Sequence, residues 1–216
     1  MIPGIDVSHW QGLIDWKLVS AAGYKFAFLK SSEFPLGKKD IWIDDTFSYN
    51  AQSCKLNNIL FAPYHFYRTH IAPEVQAAGF LNAIKGVPYD LPPAIDLEVS
   101  GLTGASYNAQ LSAFLSILEA KLGQKVIIYT SGSFWRSYAI YDKIANVDWV
   151  IGHPLWVAQW SLTWPGPLYP FAGWHFWQFT DKGRVPGIKT FVDLNYFGSD
   201  PVDLYKLCKP SLSDLR

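Results

Sequence analysis

Short apolar runs alternate with segments of helical spacing along the first 130 residues of the chain. Runs rich in β-branched and aromatic residues predict strands at 4–8, 25–31, 60–67, 94–98, 126–130, 155–159, 175–179 and 192–195. Apolar residues that recur every three or four positions predict helices at 14–22, 45–57, 74–85, 107–122 and 133–138. Ser106 is expected to cap the fourth helix and Gly123 to end it.

This alternation of strand and helix is typical of βαβ units, which form parallel sheets. After residue 155 the strands follow one another closely, with turn-rich stretches at 165–167 and 182–187 between them. A length of 216 residues fits one domain. We therefore predict a single-domain α/β fold, a TIM-like β/α barrel of about eight strands and five helices with an irregular last third. A short helix is expected in the tail, 201–216.

The composition narrows the classes of partner. The net charge is zero, and no basic stripe or polybasic cluster predicts binding to nucleic acid or to a membrane surface. No signal peptide is visible, and no apolar run is long enough to span a bilayer. The 10 Trp, 12 Tyr and 14 Phe residues supply flat apolar faces that suit sugar rings. Cys54 and Cys208 could form a disulfide or remain free thiols.

Candidate chemistry lies in acidic residues at strand ends. Asp96 and Glu98 end the apolar run at 91–98, and residues two apart in a strand point to the same face. Asp6 and Asp193 occupy similar settings in two other strands. A single aspartate at a strand end is usually a turn former. Several together, converging at one end of a parallel sheet, favour an active site.

Hydrolysis of a glycosidic bond commonly requires two carboxyl groups, one of which protonates the leaving oxygen. The proton donor needs a raised pKa, which apolar surroundings or a nearby negative charge supply. Glu98, beside Asp96 and among apolar residues, is the candidate for this role. Asp6 and Asp193 could add negative potential or position substrate and water.

Seven motifs carry a resemblance to a known family. The segment GIDVSHWQG at 4–12 resembles the opening signature of family 25 glycoside hydrolases, the Chalaropsis-type lysozymes. Six further segments resemble its later strands in order: FAFLKSSE (26–33), YHFY (64–67), PAIDLE (93–98), WVAQW (156–160), WQFT (177–180) and VDLN (192–195). The resemblance implies one catalytic domain over residues 1–216, with a core at about 2–197 and a tail at 198–216.

The resemblance also implies a flattened barrel with five helices and cleavage of peptidoglycan. The bond cut would be the β-1,4 bond between N-acetylmuramic acid and N-acetylglucosamine, without a cofactor. Glu98 matches the general acid/base of the family, and Asp96 matches the second acid, which either attacks directly or orients the acetamido group of the substrate. Asp6 and Asp193 match the two remaining acids.

The resemblance further suggests sugar contacts at Tyr64, His65, Tyr129 and Trp160. Trp160 stands where many relatives carry Tyr. For His65, a packed and hydrogen-bonded histidine is an equal alternative.

Two other functions stay open. One is a metal-dependent hydrolase that uses the acids with His9 and His65, although the chain has no H-E-x-x-H motif. The other is a carbohydrate-binding barrel without catalysis. For the enzyme we expect a monomer that acts on the bacterial cell wall. A phage endolysin released by a holin, causing cytolysis, is favoured over a secreted enzyme that serves defence against bacteria.

Overall fold

Nine strands and six α-helices lie within residues 1–141 and 146–208, which are the residues that the computed structural model describes. The strands are β1 (Ile2–Val7), β2 (Phe26–Glu33), β3 (Trp42–Ile43), β4 (Leu60–Phe66), β5 (Ala94–Leu97), β6 (Ile127–Ser131), β7 (Leu155–Ala158), β8 (Phe176–Gly183) and β9 (Val192–Phe197). The helices are α1 (Trp16–Ala21), α2 (Phe47–Leu56), α3 (Pro73–Ala83), α4 (Gly104–Leu122), α5 (Gly132–Tyr138) and α6 (Pro201–Leu207).

All eight predicted strands and all five predicted helices are present, and the helix predicted in the tail is α6. The two-residue strand β3 was not predicted. The remainder of the predicted tail, 209–216, lies outside the described residues. No helix of the described chain has the length and apolar character needed to cross a membrane.

Eight strands close into a barrel in the order β1-β9-β8-β7-β6-β5-β4-β2, and β2 pairs with β1 to complete the ring. The short strand β3 pairs with the end of β2 outside this ring. All neighbours are parallel except β9, which is antiparallel to both β8 and β1. The parallel arrangement predicted from the strand and helix alternation holds for the other strands of the ring, and the exception, β9, lies in the last third that was predicted to be irregular. The connection from β8 to β9, residues 184–191, is shorter than a parallel crossover requires.

Alternate residues of each strand face two separate apolar layers. Inward-facing side chains fill the barrel, where the Phe28 ring stacks on Trp156 with centroids 3.8 Å apart. Outward-facing side chains, such as Ile5 and Val7 of β1, pack in the layer that includes the helices. Gly4 faces the interior, and a Cβ atom there would lie 2.4 Å from the Phe26 ring. The packing of this ring thus requires glycine at position 4.

Helix α4 shows one correction at its start and one confirmation at its end. Its N-cap residue is Thr103, and Ser106 lies inside the first turn. Within the helix, buried Asn108 donates from its side-chain amide to the carbonyls of Gly104 and Ala139, at 2.8 and 2.6 Å. Gly123 ends the helix with a left-handed φ of 68°, as predicted.

The outer side of the last strands is covered by aromatic side chains from loops. Trp177 of β8 packs against Trp164 and Trp174, each with its ring centroid 6.0 Å away. The prediction of an irregular last third is confirmed by this loop-built layer. Cys54 and Cys208 are both free thiols, so the disulfide alternative is not realised.

We expect Phe28→Ala to lower the free energy of unfolding by about 3–5 kcal/mol, because the deleted ring leaves a cavity against Trp156 inside the barrel. Urea denaturation would measure this loss. Leu56→Ala, at an exposed position of α2, is the control and should change stability by no more than about 0.5 kcal/mol. Equal effects from the two variants would contradict a tightly packed barrel interior.

Candidate active site

The four predicted acids meet at one end of the barrel. Asp6 lies on β1, Asp96 lies on β5, and Glu98 follows directly after β5. Asp193 lies near the start of β9, opposite Asp6 in the register of the antiparallel pair. Because β9 runs against its neighbours, its first residues lie beside the carboxyl ends of the other strands. The four side chains line one cleft of about 210 Å³.

A second and larger groove continues from this cleft. It has a volume of about 770 Å³, and Tyr129 and Trp160 are among the residues that line it. Glu98 lines both the cleft and the groove. A linear polymer laid through the two would therefore have units on either side of the Glu98 carboxyl.

Asp96 is the deepest member of the D-x-E pair. Its side chain is buried, and its Oδ1 atom has no hydrogen-bond partner in the described structure. Burial raises the pKa of Asp96 well above its ordinary value, and the Glu98 carboxylate raises it further, while Lys30 opposes the rise. Asp96 thus lines the cleft with one buried oxygen that has no hydrogen-bond partner in the described structure.

Glu98 is more exposed than Asp96, and its surroundings favour the protonated form of its carboxyl group. Desolvation raises the pKa of Glu98, and the negative charge of Asp6 adds to this effect. Lys30 and Arg68 act in the opposite direction. A carboxyl group with a raised pKa that faces open space is able to donate a proton to a bound oxygen.

Asp6 and Asp193 are neighbouring acids whose hydrogen bonds and pKa values differ. Asp6 Oδ2 accepts hydrogen bonds from Asn195 Nδ2 at 2.8 Å and from Gln178 Nε2 at 3.0 Å. Burial raises the pKa of Asp6, and these two hydrogen bonds limit the rise. Burial, with the charge of Asp6, raises the pKa of Asp193 to about 9. At neutral pH, Asp193 therefore holds a proton, and the two donated amide hydrogen bonds favour the ionised form of Asp6.

Several polar residues of the site were not predicted. Lys30 lines the cleft and pairs with Glu33, with Nζ and Oε2 3.5 Å apart. Gln178 and Asn195 hold Asp6 from β8 and β9. The alternation of inward and outward residues along β2 could have identified Lys30, because Lys30 lies two residues after Phe28, which faces the barrel interior.

The predicted sugar-contacting residues divide into two groups. Tyr64 lines the cleft, while Tyr129 and Trp160 line the groove. His65 lies on the opposite face of β4 and is fully buried in the outer layer. The prediction of a sugar contact is therefore wrong for His65, because adjacent strand residues point to opposite faces.

His65 is instead the packed, hydrogen-bonded histidine of the alternative interpretation. Its Nδ1 atom lies 2.9 Å from Ser32 Oγ, and its Nε2 atom lies 3.0 Å from Gln76 Oε1. Burial lowers the pKa of His65 to about 4, although the hydrogen bond with Gln76 opposes this. His65 is neutral at physiological pH.

The ligand set suggested for a metal enzyme is not assembled. His9 Nδ1 lies 3.0 Å from Asp44 Oδ2, so this ring is held by a different carboxylate from the four acids. Within 1–141 and 146–208, no group of three or more His, Cys, Asp or Glu side chains is arranged to hold a metal ion.

Comparisons with known proteins agree with this geometry. The family described as glycosyl hydrolases family 25 matches residues 5–188. Lysozyme M1 of Streptomyces globisporus is 32% identical over 218 residues, which cover 95% of this chain and 71% of that protein. A bacterial lysozyme from Streptomyces coelicolor superimposes with a TM-score of 0.83 at 30% identity, covering 95% of this chain and 96% of that one. A family 25 glycosyl hydrolase from Bacillus anthracis gives a TM-score of 0.81 at 28% identity, with coverages of 97% and 94%.

The buried neutral His65 predicts a pH-dependent stability. In the unfolded chain the ring binds a proton near pH 6.5, whereas in the folded protein it does so only near pH 4. Stability is therefore lost as the pH falls through this window, by about 3 kcal/mol in total for this one group. The substitution His65→Gln removes the titrating ring and should remove this component.

Urea unfolding at pH 7 and at pH 4 would measure the component as the difference between wild type and variant. The control is His70→Gln at an exposed position, which should keep the wild-type loss. If His65→Gln lost as much stability on acidification as the wild type, the buried neutral state of His65 would be wrong.

Proposed function

The chain belongs to glycosyl hydrolases family 25, and from this membership we propose that Glu98 and Asp96 carry out the glycosidic cleavage. The protein is a glycoside hydrolase of the lysozyme and muramidase type that acts on peptidoglycan. The finer proposal is that it cuts the β-1,4 bond between N-acetylmuramic acid and N-acetylglucosamine. One observation carries the choice of residues: the carboxyl of Glu98 stands where the acid-lined cleft meets the larger groove.

In this proposal Glu98 first acts as the general acid. Its raised pKa keeps a proton available, and it donates that proton to the glycosidic oxygen of a glycan that occupies both the cleft and the groove. As the bond breaks, positive charge develops on the anomeric carbon and the ring oxygen. Asp6, with its negative charge held by two amides, stabilises this charge from the floor of the cleft.

Asp96 has two proposed roles, and both require it to face the sugar ring. It attacks the anomeric carbon, or it accepts a hydrogen bond from the acetamido N–H so that the acetamido oxygen attacks instead. The second role is supported by the buried Oδ1 atom of Asp96, because a buried acceptor without a hydrogen-bond partner is costly and an acetamido N–H would supply one. In either case Glu98, now ionised, removes a proton from the water that completes hydrolysis.

Sugar contacts are proposed for three aromatic residues. Tyr64 would meet the unit in the cleft, and Tyr129 with Trp160 would meet units in the groove. Trp160 is 60% exposed, so its indole offers a face on which a sugar ring can stack.

We propose further that residues 1–216 form one catalytic domain that works as a monomer, without a nucleic-acid, membrane or cofactor partner. Because the net charge is zero, the anionic wall steers the enzyme little, and recognition would rest on the groove. For the setting we propose a phage endolysin, with an extracellular enzyme as the alternative.

Glu98→Gln should lower hydrolysis of purified peptidoglycan by at least about 100-fold, because the amide keeps the shape of the side chain and cannot donate the catalytic proton. Loss of turbidity of a peptidoglycan suspension would measure the rate. Thermal unfolding should show that the variant is folded. The control is Glu74→Gln at an exposed site on α3, which should retain wild-type turnover. Near wild-type turnover of Glu98→Gln would refute the assignment of the acid.

The bond specificity predicts the new chain ends. After borohydride reduction of the released fragments, mass spectrometry should find reduced N-acetylmuramic acid. Reduced N-acetylglucosamine would instead indicate a glucosaminidase and would refute the proposed bond. Binding to peptidoglycan without any released fragment would favour the non-catalytic carbohydrate-binding barrel.

A further inference from the structure

Gln178 of β8 lies between the groove and the acid cluster. Its side chain is buried, and its Oε1 atom accepts hydrogen bonds from Tyr129 Oη and from Trp160 Nε1, both at 3.0 Å. Its Nε2 atom donates to Asp6 Oδ2 at 3.0 Å and to Asp193 Oδ2 at 3.2 Å. The amide therefore uses two donors and two acceptor positions, and it joins two residues of the groove to two acids.

The orientation of this amide follows from its partners. An indole N–H can only donate, so the Gln178 atom that faces Trp160 must be the oxygen. The amide nitrogen must then face Asp6 and Asp193. In the reversed orientation, nitrogen would face the indole N–H and oxygen would face the Asp6 carboxylate, so neither of these hydrogen bonds could form.

A second amide at the site is oriented in the same way. Trp156 Nε1 donates to Asn195 Oδ1 at 2.8 Å, and Asn195 Nδ2 donates to the same Asp6 Oδ2 atom at 2.8 Å. The two indoles differ in surroundings, because Trp156 is buried while Trp160 is exposed in the groove. Of the two amides, Gln178 is thus the one whose orientation depends on residues of the groove.

We propose that Gln178 is a positioning residue, oriented by Tyr129 and Trp160, that keeps the negative charge of the acid cluster on Asp6 beside Glu98. This inference rests on the proposed function, in which Glu98 is the general acid. Hydrogen bonds from Gln178 and Asn195 favour the ionised form of Asp6. The charge of Asp6 in turn raises the pKa of Glu98, so the proton donor keeps its proton to higher pH.

Other charged and titratable groups act on the same cluster and are the same residues in wild type and in Gln178→Met. They are, element by element, Asp193 on β9, Asp181 on β8, Asp96 on β5, Lys30 and Glu33 on β2, Tyr64 on β4, Arg68 after β4 and Tyr129 on β6.

The test is the pH profile of kcat/KM for Gln178→Met, which keeps the length of the side chain and removes the amide. Without the Nε2 donor, Asp6 holds its proton to higher pH and carries less charge beside Glu98. The pKa of Glu98 then falls, and the alkaline limb of the profile should move down by about 0.5 pH unit. On that limb the variant should be about 3-fold slower than the wild type for this reason alone.

Two further comparisons separate positioning from a merely structural role. The matched control is Gln110→Met, since Gln110 also accepts from a tyrosine, Tyr67, and donates to two oxygens, those of Thr69 and Ile71. It should lose stability and keep the wild-type alkaline limb.

The single variants Tyr129→Phe and Trp160→Phe each leave one donor to Gln178 Oε1, and Nε2 still faces Asp6. They should change KM and keep the limb. The double variant removes both hydrogen bonds that hold Gln178 Oε1, so that Asp6 alone orients the amide. It should shift the limb in the same direction as Gln178→Met and by a smaller amount, so the test does not depend on the folding of Gln178→Met.

An NMR titration of the carboxyl carbons of Asp6 and Glu98 in wild type, Gln178→Met and the double variant gives the same comparison without turnover. Asp6 should titrate at higher pH and Glu98 at lower pH in the variants. Unchanged titration, or a variant limb equal to that of the wild type, would overturn the role of Gln178. Absence of hydrolysis in the wild type, with the titration shift present, would instead refute the proposed function and leave this inference standing.

Discussion

Burial of negative charge at the open end of the barrel is the constraint on which this site depends. Asp6 and Asp96 are 7% and 6% exposed, and carboxylates so placed are costly unless they are paired, protonated or hydrogen-bonded. The protein uses all three means: two amides donate to Asp6, Asp193 keeps its proton, and Lys30 lies near the Asp96 carboxyl. The same burial raises the pKa of Glu98, which the proposed proton donor requires.

Closure of the barrel by an antiparallel strand makes this cluster possible. In a fully parallel barrel, a residue near the start of β9 would lie at the opposite end of the barrel from the other three acids. The short connection after β8 reverses β9, and the register then places Asp193 opposite Asp6 and Asn195 opposite Gly4. The irregular last third of the chain therefore contributes directly to the electrostatics of the site.

Much of the fold and part of the site could be predicted from local pattern. Strand and helix periodicities located all eight barrel strands, and the two-residue spacing predicted that Asp96 and Glu98 would share a cleft. The same rule could have excluded His65, whose neighbour Tyr64 faces the interior, and it could have included Lys30. Helix α4 begins at Gly104, before its predicted cap, and its residue Asn108 bonds to Ala139 of a distant segment.

The sequence by itself determined the elements and the acids at their ends, because periodicity and strand-end position are properties of neighbouring residues. Only the tertiary structure decided which polar groups meet. Gln178 and Asp6 are 172 positions apart, and Asn195 and Asp6 are 189 apart. Such contacts arise from the order and register of strands around the ring, and no local pattern encodes these. The closed barrel therefore decides which acid of the cluster keeps its proton and which acid receives the hydrogen bonds that favour its ionised form.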